Sequence, residues 1–165
     1  MPKPLFDFPA GASGVRTALA KHNYAAALEE AAKLPDAQGG ADLKRAIQGM
    51  IDGRVSMMKS AMKEGDFLTA LEAATALKKE LAGLPAAPEA EKALDEVKAN
   101  KEAEPEIAAQ KKIRAILEQK LGKRVEYEKA VSELKKIASD LKSSYAAKEA
   151  SEATATIAKR REAAR

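Results

Sequence analysis

Lys63-Glu64-Gly65-Asp66-Phe67-Leu68-Thr69-Ala70-Leu71 writes a helix end, a turn and a helix start into nine residues. Gly65 breaks one helix, Asp66 caps the next, and Phe67, Ala70 and Leu71 open an apolar face. Upstream, Leu43, Ile47, Ile51, Val55, Met58 and Met62 step by three or four along a long helix opened by Asp42. Downstream, Phe67, Ala70, Leu71, Ala74, Leu77 and Leu81 share one face until Gly83-Leu84-Pro85 stops it. Two such stripes joined by a short turn are a helical hairpin. The class is all-α.

The pattern extends in both directions. Residues 1–12, rich in Pro and Gly, read as an extended arm pinned by Leu5, Phe6 and Phe8. Ser13 caps a short helix to Lys21 with Val15 and Leu19 on one face. After a His22-Asn23 turn a second helix runs to Leu34, ended by Pro35 and Gly39-Gly40. Pro88 starts a shorter helix that places Ala90, Ala93, Leu94 and Val97 inward. A boundary falls before Pro105. A sixth helix carries Ile107, Ile113, Ile116, Leu117 and Leu121 to Gly122, and a seventh carries Tyr127, Ala130, Val131, Leu134, Ile137 and Leu141. The last, from about Tyr145, offers Ala147, Ala150, Ala153 and Ile157, a weak face expected to fray over the basic tail 159–165. Two hairpins plus a connecting helix thus occupy 13–104, and a third hairpin with the C-terminal helix occupies 105–158.

Composition narrows the function classes. Aromatics are only 4% of 165 residues while alanine is abundant, so helices approach closely around a thin aliphatic core. The absence of cysteine removes disulfides, thiolate metal sites and thiol catalysis. No stretch approaches the roughly 20 apolar residues of a spanning helix, and the N-terminus is not a signal peptide. The expected location is therefore cytoplasmic, or exported if the chain is a mature form or an excised piece. Net charge divides unevenly: residues 1–105 carry −2 and residues 106–165 carry +6.

Two turns look alike. Lys21-His22-Asn23-Tyr24-Ala25-Ala26-Ala27-Leu28 matches 63–71 in its cap, its aromatic and its Ala-Leu pair, with Leu34 and Leu77 at the same offset. Tyr127-Glu128-Lys129-Ala130-Val131 is a weaker third copy. The string Gly65-Asp66-Phe67-x-x-Ala70-Leu71-x-x-Ala74 resembles the junction between the two helices of a tetratricopeptide repeat. Leu84-Pro85-x-x-Pro88-Glu89-Ala90-Glu91-Lys92-Ala93-Leu94 resembles the linker and opening helix of the following repeat. Ser143-Ser144-Tyr145-Ala146-Ala147-Lys148-Glu149-Ala150 resembles a degenerate second opening. The Ala/Lys/Glu-rich segments are also similar to the helical C-terminal extension of some bacterial thioredoxin-like proteins, although no CxxC is present. The tetratricopeptide resemblance covers roughly 15–160, with aromatics 43 and then 60 residues apart instead of about 34. It implies seven to eight helices in stacked antiparallel hairpins, as a right-handed array or an irregular bundle.

Catalytic constellations are missing. His22 is the only histidine, so no zinc site with usual ligands can assemble, and a lone His at a turn reads as solvated or capping. Glu29-Glu30 and Asp95-Glu96 lie among lysines on outer faces, where no cleft shields them. Ser13 lacks a nucleophile elbow, and Gly11 with Gly14 makes no phosphate loop. The expected function is a non-catalytic interaction or scaffold module without a cofactor, its partner another protein. Met50 and Met57, off the main stripe, are candidate partner contacts, and Lys159, Arg160 and Arg161 are candidate partner or anion contacts. One alternative is a nucleic-acid or anionic-surface binder acting through 106–165, against which Glu118, Glu126, Glu128 and Glu133 are interspersed. A second is a helical accessory domain of a larger thioredoxin-like protein.

Overall fold

The computed structural model describes Phe8, Pro9 and residues 11–163. Leu5 and Phe6, expected to pin the N-terminal arm, lie outside the described residues. Phe8 lies inside them, half-buried, with the Arg16 guanidinium 5.3 Å from its ring centroid.

Eight α-helices and no strand occur among the described residues: α1 Ser13–Ala20, α2 Tyr24–Ala32, α3 Gly40–Glu64, α4 Phe67–Glu80, α5 Ala87–Ala99, α6 Ala103–Glu118, α7 Arg124–Asp140 and α8 Tyr145–Ala163. The protein is all-helical. Its residues fall into two compact units that interleave in sequence. Unit 1 holds the chain up to Lys59 and Glu72–Leu94. Unit 2 holds Ser60–Leu71 and the chain from Asp95 onward.

In unit 1 the α3 stripe is buried as its spacing dictates, at Leu43, Ile47, Ile51, Val55 and Met58. Ala27, Ala31 and Ala74 are fully covered, so the small side chains admit close backbones. The long helix opens at Gly40, two residues before the expected Asp42. Gly39 is left-handed at φ 81°, and a Cβ on residue 40 would collide with the Leu34 carbonyl. Gly40 therefore starts the helix where a larger residue could not.

Unit 2 has two apolar clusters. One gathers Ala61, Ala70, Val97 and Ala103. The other gathers Ile113, Ile116, Tyr127, Ala130, Leu134, Ile137 and the α8 residues Ala146, Ala150, Ala153 and Ile157. Three expectations are corrected here. Leu68 is buried on α4, while Phe67 and Leu71 are only half-buried. The helix α6 stops at Glu118 and not Gly122, because Gln119 turns extended at ψ 135°. The linker is then held by Glu126 Oε2, which accepts from the Gly122 and Lys123 amides, and by the Tyr127 hydroxyl donating to the Leu121 carbonyl. The tail at 159–163 does not fray but stays helical to Ala163. Buried Ile157 anchors it, Arg160 donates to the Leu117 carbonyl, and Arg161 lies 3.6 Å from Glu128.

The repeated junction is also redistributed. His22 at φ 55°, Gly65 at φ 81° and Ser143 at φ 67° each take the left-handed conformation. Each precedes a capping residue (Asn23, Asp66 or Ser144) and then the aromatic that opens the next helix (Tyr24, Phe67 or Tyr145). The first two share one hydrogen-bond scheme: the Asn23 amide donates to Ala18, and the Asp66 amide donates to Ala61. The start at Tyr145 shares the left-handed and capping residues but not that bond, its Ser144 amide donating to Leu141. Tyr127, taken from sequence for a third copy, is the fourth residue of α7 and occupies a different register.

Candidate functional site

In unit 1 the chemistry-bearing side chains gather at the α1–α2 turn. Asn23 accepts from the Ala26 amide at 3.0 Å and starts α2. The adjoining left-handed His22 projects a side chain 65% exposed, its Nδ1 3.9 Å from Glu80 Oε1. Glu80 also pairs with Arg54, whose Nη1 donates to the Tyr24 hydroxyl at 3.4 Å. Burial opposes the Arg54 charge, but the Tyr24 hydrogen bond and Glu80 outweigh it, and the guanidinium pKa is raised. A depression beside this turn is lined by Lys21, His22, Asn23, Glu29, Lys79 and Glu80. Both carboxylates and cations line it, and His22 faces water.

The outer face of α3 in unit 1 presents two of the four methionines of that helix. Met50 is 39% exposed and Met57 72%, whereas Met58 is buried. Gly49 and Gly53 stand on the same helix with nothing within 4 Å of where a Cβ would project. The two methionines singled out from the sequence are thus surface residues. Val125 is the third large exposed hydrophobic among the described residues, and its position at the start of α7 gave no periodic signal.

Unit 2 holds a buried polar cluster that sequence reasoning missed, and α6 builds it. Glu106, Gln110 and Arg114 recur every four residues along that helix and make one polar stripe. Gln110, 1% exposed, accepts from the Leu68 amide at 2.9 Å and donates to Asp66 Oδ1 at 2.8 Å. Asp66 itself accepts from the Thr69 amide at 3.1 Å, so the first turn of α4 is capped from its own chain and from α6. Glu106, 5% exposed, accepts from the Ala146 amide at 2.9 Å, while Ser144 accepts from the Ala147 amide at 3.1 Å. The first turn of α8 is capped in the same double fashion. Arg114 donates to the Thr69 hydroxyl at 2.9 Å.

Around these caps stand Tyr145 and Glu149. The Tyr145 pKa is raised, first by burial and then by the neighbouring Asp66 carboxylate. The Glu149 pKa is raised by burial and by Asp66, against a lowering by Arg114. A signal for this cluster existed in the sequence. Glu106 and Gln110 stand in helical register with Ala103 and Ile113, where apolar side chains belong.

The basic end divides into paired and outward-facing groups. Lys112 lies 3.2 Å from Glu133, and Arg124 2.7 Å from Glu128, which also neighbours Arg161. Lys120, Lys123, Lys129, Lys135, Lys136 and Lys159 are exposed. Of the three C-terminal candidates, Arg160 and Arg161 thus secure α8 within unit 2, and Lys159 projects outward.

No family model, curated protein or solved structure matches this chain. Among the described residues, no three His, Asp or Glu side chains are grouped to hold a metal ion. No described helix is long and apolar enough to cross a membrane.

Proposed function

We propose that this chain is a non-catalytic interaction module of tetratricopeptide-like helical hairpins, and that its business is to hold another protein. The observation that carries this reading is the outer face of α3, where exposed Met50 and Met57 stand two turns apart beside Gly49 and Gly53. Methionine is a flexible apolar contact that adapts to a partner surface. A glycine inside a helix sacrifices about 1 kcal/mol relative to alanine, and nothing within the fold occupies the space it frees. The left-handed, cap and aromatic sequence at three helix starts supports the hairpin-repeat part of the proposal.

Affinity capture from native lysate at physiological salt tests it. The native chain recovers a stoichiometric protein, and a Met50→Lys/Met57→Lys double variant with unchanged helical circular dichroism loses it. A native chain that stays monomeric and recovers nothing refutes the reading.

The +6 charge of residues 106–165 favours a second reading, an anionic-surface or nucleic-acid binder using the exposed lysines of α7 and Lys159. It requires binding to a polyanion that weakens steeply with salt. Absence of binding at low ionic strength removes it.

A further inference from the structure

Unit 2 brings three carboxyl groups near one arginine: half-buried Asp66 at the start of α4, buried Glu106 on α6 and half-buried Glu149 on α8, with Arg114 from α6. Their hydrogen bonding is unequal. Asp66 accepts from the Thr69 amide and from Gln110 Nε2. Glu106 accepts from the Ala146 amide. Each of these two also faces a helix N-terminus, which favours negative charge. Glu149 differs: its Oε2 is buried and makes no hydrogen bond. A buried carboxylate oxygen without a donor is costly, and adding a proton removes the charge that makes it so.

We propose that Glu149 is the proton-binding group of unit 2, and that losing its proton as pH rises loosens the first turns of α8 from the Asp66–Glu106–Gln110 cluster.

Three carboxylates around Glu149 favour its neutral form and one guanidinium opposes it. Asp66 faces Glu149 from the α4 cap, Glu106 faces it from α6, and Glu152 lies one turn along α8. Arg114 alone opposes them, and it also serves Thr69. Tyr145, on the same turn of α8, stands between Asp66, Glu149 and Glu64 of α3. Burial and the neighbouring carboxylates raise the Glu149 pKa above its usual 4.5. The sign follows from linkage. A carboxyl that holds its proton more tightly in the folded state stabilises that state fully below its unfolded pKa. The stabilisation is lost as pH rises through the raised folded value. The stabilisation that Glu149 contributes to unit 2 is accordingly largest in mild acid.

Thermal melts of the full chain between pH 4 and pH 8.5 test this with native protein and Glu149→Gln. At pH 8 the variant melts higher than native, and the difference between the two shrinks as the pH falls toward 4. Amide exchange at Ala146 and Ala147, corrected for its intrinsic pH dependence, speeds up with pH in the native chain and not in the variant. A carbon-13 titration of the native chain reads the proton directly and does not depend on the variant folding. One glutamate carboxyl titrates above the rest. Glutamates that all titrate together overturn the proposal, as does a Glu149→Gln variant that melts lower than native at every pH.

Discussion

The hairpin turn of unit 1 and the turns of unit 2 begin from the same local recipe and end in different environments. At the start of α2, Asn23 caps alone, and the residues around it (His22, Lys21, Glu29) face solvent. At the starts of α4 and α8, the cap is doubled by a side chain from α6, and both reinforcing groups are buried. A solvent-facing cap can exchange its hydrogen bond for water at little cost. A buried amide has no such alternative, so the loss of its acceptor leaves a desolvated donor. The motif decides where a helix starts, and its setting decides how much that start matters to stability.

The largest effect is expected where that contrast is sharpest. Gln110→Leu strips the Leu68 amide of its acceptor and Asp66 of a donor, and should destabilise unit 2 by about 2–4 kcal/mol in chemical denaturation. A loss no larger than that of a surface cap would show that the buried turn is no different from the exposed one. Ala70→Leu follows. Ala70 is fully buried beside Ala61, Val97 and Ala103, so overpacking should cost about 1–3 kcal/mol. An unchanged melting temperature would mean that the α4 packing face is misplaced. Asn23→Ala sharpens the comparison from the other side, with an expected loss of about 1 kcal/mol read from the same melts. The smallest effect has the opposite sign. Gly53→Ala, with open space around its Cβ, should stabilise the free chain by about 0.5–1 kcal/mol. If the outer α3 face holds a partner closely, that same variant weakens capture while raising the melting temperature.

Much of the fold was legible because its rules are short-ranged. The α3 stripe and the cap at Asp66 follow from residues within a turn or two of one another, and the structure has them in place, whereas α4 stops at Glu80, three residues before Gly83. Misreadings occurred where a distant contact outvoted a local pattern. The tail from Lys159 carries a weak apolar face, yet Arg160 reaches a carbonyl 43 residues away. On α6, Glu106 and Gln110 are polar yet buried, held by amides 40 and 42 positions away in sequence. Met50 and Met57 were legible as surface candidates because they fall off the apolar stripe. Glu149 was not, because one more glutamate on an Ala/Lys/Glu helix carries no pattern.

The amino-acid order by itself determined the helices, their turns and the positions of the aliphatic core, since helix periodicity, capping and glycine breaks act within about four residues. Tertiary structure alone decided which polar side chains go inside. The bonds that take them there join the Leu68 amide to Gln110 across 42 positions and the Ala146 amide to Glu106 across 40. Whether a carboxylate keeps its charge depends on the donors and neighbours that folding brings to it, and that information exists only after the helices have packed.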